Sequence, residues 1–183
     1  MSKSDSDLVA LAQAGNLDAF DQLVLNHQAR VYALAYRILG NGDDAADIQQ
    51  DTFVRAWRWM GKFRRDAEFS TWLHRITVNL CLTMKRKRDC AYTEPLVEDR
   101  MRYSCEPVGT ACMEAAETAI ALRRVVGAMP AHYRALLVLR EIEGRCFDEI
   151  ARILGCSPQS ARSRACKARK LLRERMRPYL EGE

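Results

Sequence analysis

Apolar residues recur at three- and four-residue steps along most of the chain, a spacing typical of amphipathic helices. The clearest run predicts one long helix, whose inward positions are Phe20, Leu23, Val24, His27, Val31, Leu34, Ala35 and Ile38. No segment shows the convincing alternation of apolar and polar residues that predicts a β-strand. The pattern therefore predicts an all-α fold.

Two further helices are predicted in the first half of the chain. Gly40-Asn41-Gly42 ends the long helix, and Asp43-Asp44 is predicted to cap the next one. The apolar stripe of that helix is Ala45, Ile48, Thr52, Phe53, Ala56, Trp57 and Met60. A third helix begins near Ser70-Thr71 and runs into the basic cluster Lys85–Arg88. Residues 1–88 are therefore predicted to form a compact helical bundle.

The helical pattern is interrupted in the middle of the chain. The interruption contains Pro95, Pro107 and Gly109, and residues 89–118 carry two basic and seven acidic side chains, a net charge of −5. Proline, glycine and an excess of one charge favour an irregular segment. Residues 89–114 are therefore predicted to be an acidic flexible linker between two small helical domains.

A helix-turn-helix is predicted near the end of the second domain, residues 115–183. Pro130 is predicted at the first position of an earlier helix. A short helix over Phe147–Leu154 is followed by Gly155, and Ser157-Pro158 signals the start of a last helix that reaches about Arg177. A short helix, a tight turn and a second helix form the helix-turn-helix pattern.

The last predicted helix has a small apolar face and a basic face. The inward positions are Ala161, Ala165, Ala168 and Leu172. The outward positions are Arg162, Cys166, Arg169, Lys170 and Arg173, with Ser163 and Lys167 beside them. Arginine and serine side chains can hydrogen-bond phosphates and base edges in a major groove. A solvated basic surface is the alternative, but the turn, the cap and the charge together favour DNA binding.

The charge of the whole chain agrees with a polyanionic partner. The 183 residues carry a net charge of +5, and residues 119–183 alone carry +7. Basic segments on both sides of an acidic linker predict two separate contacts with a polyanion. No apolar run approaches the roughly 20 residues of a membrane span, and Met1–Asp7 lacks the apolar core of a signal peptide. We therefore expect a cytoplasmic protein that does not insert into a membrane.

The seven cysteines do not form a metal-binding or disulfide pattern. Their number is odd and no C-x-x-C pair occurs, which argues against a disulfide scaffold and a cysteine zinc site. We expect free thiols, no bound metal and no cofactor. Cys105 and Cys112, seven positions apart in the predicted linker, leave open a redox- or metal-sensing role.

A pair of carboxylates marks the second predicted helix. Asp47 and Asp51 stand four positions apart, so both lie on one helix face. Such a pair could hold Mg²⁺ for phosphoryl chemistry, but no histidine, lysine or nucleophile nearby in the sequence completes an active site. The helix dipole explains Asp43 and Asp44. Asp47, Gln50 and Asp51 are left as a polar face suited to binding another protein.

Aromatic and basic residues alternate before and within the third predicted helix. They occupy the segment Phe63–Leu73, with Asn79 and Lys85–Arg88 downstream. This combination suits single-stranded nucleic acid, because an unstacked base needs both a stacking platform and positive charge. Phe69 and the loop before it are the better candidates for touching a base, whereas the spacing of Trp72 favours a core position.

Seven motifs follow one another along the chain with a specific order and spacing. They are Ala19–Val24, Asp47–Trp57, Phe69–Asn79, Met129-Pro130, Leu139–Gly144, Asp148–Ala151 and Arg162–Arg169. In these motifs the chain resembles an extracytoplasmic-function (ECF) sigma factor, the minimal two-domain branch of the bacterial sigma-70 family, close to its sigma-E-like members. The resemblance implies an alternative sigma factor that binds core RNA polymerase and directs promoter-specific initiation without catalysis of its own. It also implies restraint by an anti-sigma factor.

The resemblance assigns core binding and −10 recognition to residues 1–88, as region 2. The helix Asp47–Met60 would dock on the clamp coiled coil of the largest polymerase subunit, and the flap of the second-largest subunit is a further implied contact. The implied core-binding residues are Asp47, Gln50, Asp51, Val54 and Trp57.

The resemblance also implies where the promoter binds. The loop Arg64–Ser70 would capture a flipped base of the −10 element, and the helix that ends at Lys85–Arg88 would hold the melting strand. The implied −10 residues are Arg64, Arg65, Phe69, Asn79, Lys85, Arg86, Lys87 and Arg88. In residues 115–183, as region 4, the helix Ser157–Arg173 would read the −35 element through Ser160, Arg162, Ser163, Cys166, Lys167 and Lys170.

Two departures from the family pattern affect these assignments. Many relatives have Gly-Thr-Val where this chain has Gln159-Ser160-Ala161. Ser160 can still donate to a phosphate, so the binding mode is retained, but the −35 sequence cannot be transferred from relatives. Many relatives also have an Asp-x-x-Arg pattern where this chain has Met84–Lys87.

Two other functions remain open at the level of sequence. One is a stand-alone helix-turn-helix regulator that binds duplex DNA by itself. The other is a metal-dependent nucleotide enzyme that uses Asp47 and Asp51. A plain regulator needs neither the aromatic and basic loop nor the acidic helix face, so the first half of the chain favours the sigma factor.

Overall fold

The computed structural model describes residues 4–91 and 113–180. In these ranges the chain forms eight α-helices and no strand, which confirms the all-α prediction. The helices are α1 Asp5–Gln13, α2 Leu17–Leu39, α3 Gly42–Trp59, α4 Phe69–Ala91, α5 Met113–Gly127, α6 Ala131–Leu137, α7 Phe147–Leu154 and α8 Pro158–Leu180. A 3-10 turn, Met60–Lys62, follows α3, and a π-helical turn, Val138–Ile142, follows α6. Cys105, Cys112 and most of the predicted linker lie outside the described residues.

The helix α1 has no counterpart among the predicted helices. It begins with a capping box, in which the N–H of Asp7 donates to the Ser4 hydroxyl and the N–H of Ser4 donates to the Asp7 carboxylate. Its inward side buries Leu8, Val9 and Ala12. A helix of nine residues with a polar first turn leaves too short an apolar pattern to be recognised in the sequence.

The helix α2 is the central element of the first half. Its first turn is capped by Asn16, whose side-chain oxygen accepts from the N–H of Ala19 at 2.9 Å. It ends at Gly40, where φ is 76°, a left-handed conformation that glycine adopts without steric cost. Along its length α2 packs against α1, α3 and α4. Leu23, Leu34 and Ile38 are completely buried in this core.

Two helix starts differ from the sequence prediction. The cap of α3 is Asn41, which accepts from the N–H of Asp44 at 3.0 Å, rather than Asp43-Asp44. Both aspartates lie in the first turn, where the helix dipole favours negative charge. Pro130 occupies the N-cap position of α6 instead of its first helical position.

The two halves of the chain pack against each other. The helices α6 and α7 contact α2 and α4, and one apolar core runs through both halves. The guanidinium of Arg134 is buried, and it donates to the carbonyl of Ile38 at 2.7 Å and to the carbonyls of Gly127 and Met129. An ion pair of 2.7 Å joins Arg37 to Glu143. This contact between the halves was not part of the sequence prediction.

The helix-turn-helix is formed by α7 and α8, as predicted. The turn contains Gly155, whose φ is 63°. The predicted cap is confirmed, because the N–H of Ser160 donates to the Ser157 hydroxyl at 3.2 Å. The small residues Ala161, Ala165 and Ala168 are buried, which lets α8 lie close to α5, α6 and α7. The helix α8 continues to Leu180, three residues beyond the predicted end.

His74 makes the stability of this fold depend on pH. It is 3% exposed, and burial followed by the electrostatic effect of Arg145, His27 and Arg30 lowers the pKa of His74 to about 4, with Glu149 opposing the shift. In the unfolded chain the pKa of a histidine is about 6.5, so between these pH values the unfolded chain binds more protons. The free energy of unfolding therefore falls as the pH falls from 6.5 towards 4.

We expect His74 to contribute up to about 3 kcal/mol to this pH dependence. The variant His74→Gln removes the titrating group, so its free energy of unfolding should fall less than that of the wild type between pH 7 and pH 4.5. Urea unfolding of both proteins across this range measures the difference. Parallel pH profiles for the two proteins would contradict the prediction.

Candidate nucleic-acid and protein interfaces

The exposed face of α3 carries the predicted protein-binding residues. Asp47, Gln50, Asp51 and Val54 are all exposed at three- and four-residue spacing on one side of the helix. Trp57 continues this face one turn later, is 36% exposed and lies 5.0 Å from the ring of Phe20. The structure thus gathers all five predicted residues on one surface that is acidic at one end and aromatic at the other.

An aromatic cluster supports the loop between α3 and α4. The rings of Phe63 and Trp72 stack at 4.9 Å, and Phe69 lies 5.9 Å from Phe63 and 5.8 Å from Trp72. His27 meets Phe69 edge to face at 5.4 Å. Phe69 is only 5% exposed, so it differs from the expectation of an aromatic side chain that is free to meet a base.

A groove of about 550 Å³ runs between the end of α3 and the middle of α4. Its walls are formed by Arg55, Trp59, Lys62, Trp72, Arg75, Ile76 and Asn79. Trp59 is 44% exposed, whereas Trp72 is half-buried and packs against the core, in agreement with its spacing. Indole rings beside three cations provide both stacking and charge, the two requirements for an unpaired base.

Most of this groove was not predicted from the sequence. Asn79 alone belongs to the predicted −10 set, whereas Trp59, Arg55, Lys62 and Arg75 do not. Helical spacing could have identified these groove residues. Arg55 and Trp59 are one turn apart on α3, and Trp72, Arg75 and Asn79 share one face of α4.

A second cavity, of about 680 Å³, lies on the other side of the loop. It is lined by Asp5, Ser6, Val9, His27, Arg30, Phe63, Arg65, Asp66, Ala67, Glu68, Phe69 and Ser70. Its charge is mixed, because carboxylates and guanidinium groups alternate around it. The predicted base-capturing loop Arg64–Ser70 therefore borders this cavity rather than the aromatic groove, and Arg64 and Arg65 are exposed on the loop.

The basic cluster at the end of α4 is partly committed to a contact within the protein. Arg88 forms a bidentate ion pair with Asp44, with N···O distances of 2.5 and 2.6 Å. The Arg88 side chain is still 47% exposed, so its assignment to the −10 strand stays a prediction, in which DNA would compete with Asp44 for the guanidinium. Arg86 and Lys87 are exposed and Lys85 is half-buried.

The outward face of α8 carries the predicted −35 residues. Arg162, Ser163, Cys166, Lys167 and Lys170 are exposed there, and Ser160 is half-buried with its hydroxyl accepting from that of Ser157. The Arg162 guanidinium lies 5.8 Å from the centre of the Phe147 ring, within cation–π range. The structure therefore places all six side chains on one surface of the helix-turn-helix.

Arg145 connects the helix-turn-helix to the end of the base-capturing loop. Its guanidinium donates to the hydroxyls of Ser70 at 3.1 Å and Thr71 at 3.5 Å and lies 3.7 Å from Glu68. It also pairs with Glu149 at 2.9 Å. The Cys146 N–H and then Arg145 hold the pKa of Glu149 below its ordinary value, although burial opposes them. Arg145 is thus kept beside an ionised partner.

Residues 4–91 and 113–180 contain neither a metal-ligand cluster nor a membrane-spanning helix. Within them, no group of three or more histidine, cysteine, aspartate or glutamate side chains could hold a metal ion. Burial raises the pKa of Cys81 to about 12, which makes that thiol unreactive. Cys146 and Cys166 are exposed free thiols. No helix of the described ranges is long and apolar enough to cross a bilayer.

Two family profiles match the two halves of the chain. The profile of Sigma-70 region 2 matches residues 23–90, and that of Sigma-70, region 4 matches residues 119–172. The ECF RNA polymerase sigma factor SigM of Mycobacterium tuberculosis is 38% identical over 170 residues, which are 93% of this chain and 83% of SigM. The resemblance inferred from the sequence motifs is confirmed.

Other relatives agree in fold and sequence. The ECF RNA polymerase sigma factor SigE of Mycolicibacterium smegmatis is 38% identical over 159 residues, and the match covers 86% of this chain but only 62% of SigE. The structure of CnrH, solved in complex with the cytosolic domain of CnrY, superposes with a TM-score of 0.65 and 30% identity. That match covers 93% of this chain and 95% of CnrH.

Proposed function

This chain belongs to the ECF RNA polymerase sigma factors of the sigma-70 family, and we propose that it binds core RNA polymerase and directs it to promoters through separate −10 and −35 contacts. In this proposal residues 1–88 form the core- and −10-binding domain, residues 89–114 the linker and residues 115–183 the −35-binding domain. The chain catalyses no reaction of its own. We place it in the cytoplasm, where polymerase and chromosomal DNA are found.

One observation carries the proposal: a single chain combines a basic helix-turn-helix, an acidic helix face and an aromatic groove lined by cations. A stand-alone regulator uses the first of these surfaces and has no use for the other two. The acidic face of α3 cannot bind DNA directly, because phosphates repel it, so it fits a protein partner with a basic surface. The groove suits unpaired bases, which occur where a promoter melts.

In the first half, we assign polymerase binding to α3 and −10 recognition to the loop and groove beside it. Asp51 and its neighbours would face the clamp of the largest subunit, with Val54 and Trp57 supplying apolar contact area at the centre. Arg64 and the groove cations would hold the phosphates of the melted strand. Trp59 would stack on a base, a role that the sequence alone did not assign.

In the second half, we assign −35 recognition to α8. Its inward alanines let the helix approach the rest of the helix-turn-helix, and its outward face presents arginine, lysine and serine to a major groove. The neighbouring α5 and the end of α8 would lie near the flap of the second-largest subunit. Both promoter contacts then belong to one chain, as a sigma factor requires.

The packing of the two halves supports a closed state of the free chain that binds promoters poorly. Ser70 belongs to the base-capturing loop, and its hydroxyl accepts from Arg145 of the other half. Promoter DNA cannot use the same groups while Arg145 occupies them. Binding to polymerase would favour the open state by holding the two halves at separate sites.

An anti-sigma factor is the further partner that we propose. The structure of the relative CnrH was solved with the cytosolic domain of another protein, CnrY. A protein that covers the acidic face of α3 in this chain would exclude polymerase from it by direct competition.

The function is tested by in vitro transcription. Core polymerase with this chain should initiate at specific sites in a library of randomised promoters, and sequencing of the transcripts should show −10 and −35 elements. Footprinting of the same sequences by the free chain distinguishes the alternative. Tight, sequence-specific protection without polymerase would indicate a stand-alone regulator.

Charge reversal on α3 should weaken polymerase binding strongly. We expect Asp51→Lys to place a positive charge against a basic partner surface and to weaken core binding about tenfold or more. Co-purification with core polymerase measures this effect, and circular dichroism should show unchanged helix content. Asp18→Lys, the same charge change at an exposed position in the first turn of α2, is the matched control. Equal recovery of core enzyme with both variants would refute the docking assignment.

Substitutions on α8 should separate base contacts from phosphate contacts. We expect Arg162→Ala to cost about 1–3 kcal/mol on the matched −35 element and to relax preference at one base pair. Lys167→Ala should weaken all −35 sequences alike and reduce the salt dependence by about one unit. The readout is run-off transcription on promoters randomised separately at each element.

The control for these two substitutions is Arg164→Ala on the same helix. Arg164 is exposed but turned towards α6, where its charge lowers the pKa of His132 second to burial. The Arg164→Ala substitution should leave the −10 and −35 preferences unchanged. A shift in −10 preference caused by Arg162→Ala or Lys167→Ala would contradict the division of roles between the two halves.

Removal of Arg145 should open the free chain. Charged hydrogen bonds of this kind contribute about 1.5–3 kcal/mol, so Arg145→Ala should raise the affinity of the free chain for a single-stranded −10 oligonucleotide about tenfold. Fluorescence anisotropy measures the affinity. Arg152→Ala, another arginine substitution at an exposed position of α7, is the control. Equal affinities for the two variants and the wild type would show that Arg145 does not close the chain.

A further inference from the structure

One side chain of α1 holds the loop between α3 and α4 in place. The side-chain amide nitrogen of Gln13 donates to the carbonyl of Met60 at 3.0 Å and to that of Phe63 at 2.7 Å. Its side-chain oxygen accepts from Nε of Arg65 at 3.0 Å and from Nη2 at 2.7 Å. Gln13 therefore makes four hydrogen bonds to three loop residues that lie about 50 positions away in the sequence.

The hydrogen-bonding capacity of this amide is fully used. A glutamine side chain has two N–H donors and an oxygen that accepts twice, and each finds a partner in the loop. The orientation of the amide is fixed by these partners, because carbonyls require the nitrogen and a guanidinium requires the oxygen. Met60 and Phe63 are anchored as well, since their side chains are 2% and 7% exposed.

The conformation of Arg65 explains why the loop needs such an anchor. Its φ is 58°, in the left-handed region, and it is the only residue other than glycine with a positive φ in the described parts of the chain. A side chain with a Cβ adopts this conformation only where the surroundings enforce it. The two hydrogen bonds from Arg65 to Gln13 supply such enforcement, and they leave the other N–H groups of its guanidinium available for a phosphate.

The anchored segment borders both the aromatic groove and the second cavity. Lys62 belongs to the aromatic groove, and Arg65 belongs to the cavity on the other side of the loop. The backbone between Met60 and Arg65 thus sets where both cations stand. The family match to region 2 begins at residue 23, so Gln13 lies outside the matched segment.

We propose that Gln13 is a positioning residue for −10 recognition, which fixes the loop from Met60 to Arg65 so that its cations and the groove meet the melted strand in one geometry. The inference rests on the proposed function of this surface. Gln13 acts through the loop and need not touch DNA itself. Preference for the −10 sequence therefore depends on a residue of α1, whereas preference for the −35 sequence does not.

Two substitutions test the two sides of the amide. Gln13→Met keeps the length of the side chain and removes all four hydrogen bonds. Gln13→Glu keeps an acceptor for Arg65 but places a carboxylate oxygen against the carbonyls of Met60 and Phe63. Both variants should lower transcription from the preferred −10 sequences about tenfold and flatten the −10 preference. Wild-type behaviour of Gln13→Glu would overturn the proposal, because the carbonyl contacts would then have no role.

The control is Gln49→Met. Gln49 is also a half-buried glutamine whose amide donates to a backbone carbonyl, that of Gln28, at 2.9 Å, but it lies away from the loop. Loss of this hydrogen bond in Gln49→Met should lower thermal stability by an amount similar to that for Gln13→Met and leave the −10 preference intact. A purely structural role of Gln13 would give the same result for both variants.

The experiment uses holoenzyme reconstituted from core polymerase and the full chain, with one promoter library randomised at −10 and another at −35. Amide hydrogen exchange of the free chain reports loop order, and Gln13→Met should speed exchange in residues 61–68 while the amides of α2 remain protected. Absence of transcription with the wild-type chain would refute the proposed function itself. Normal transcription with an unchanged −10 profile for Gln13→Met would refute only the positioning role.

Discussion

The buried guanidinium of Arg134 is the interaction on which the arrangement of the two halves depends. A charge removed from water must find hydrogen-bond acceptors or the fold loses stability. Arg134 finds them in backbone carbonyls near the ends of two helices, Ile38 in α2 and Gly127 in α5. The last carbonyls of a helix lack partners within it and carry the negative end of its dipole. One side chain therefore satisfies two helix ends, one from each half, and fixes α6 between them.

The position of α6 determines what the rest of the second half can reach. The π-helical turn that follows it brings Glu143 to Arg37, and the next residues bring Arg145 to the hydroxyl of Ser70. The loop before α4 is consequently held from both sides, by Arg145 at its end and by Gln13 near its start. Because the same loop borders the groove and the cavity, these two polar contacts bear directly on the surface proposed to bind the −10 strand.

The local pattern of residue types was sufficient to predict the helices other than α1 and the surfaces that lie on a single helix. The alanines of α8 and the acidic face of α3 repeat with the helical period, so their burial and exposure could be predicted. Contacts between segments that are distant in the sequence could not be predicted in this way. Nothing in the spacing of Arg88 indicates its pairing with Asp44, and nothing near Phe69 indicates that His27 would pack against it. The helix α1 was missed because its apolar pattern is too short, and the role of Gln13 could not be predicted because its partners lie about 50 residues away.

The closed arrangement also limits how the two halves of the chain can be separated. The contact between the halves combines polar groups with apolar ones, because Leu136 and Leu139 of the second half share the core that runs through both halves. Separation of the halves would expose these side chains to water, so a partner that binds both states equally well could not drive it. A partner must bind the open state more tightly by at least the free energy of the contact. Polymerase can do so if it engages α3 and the helix-turn-helix at sites too far apart for the closed chain to reach. In the proposed function, promoter DNA would gain the same advantage only after Arg145 has left Ser70, so polymerase would bind first and DNA second.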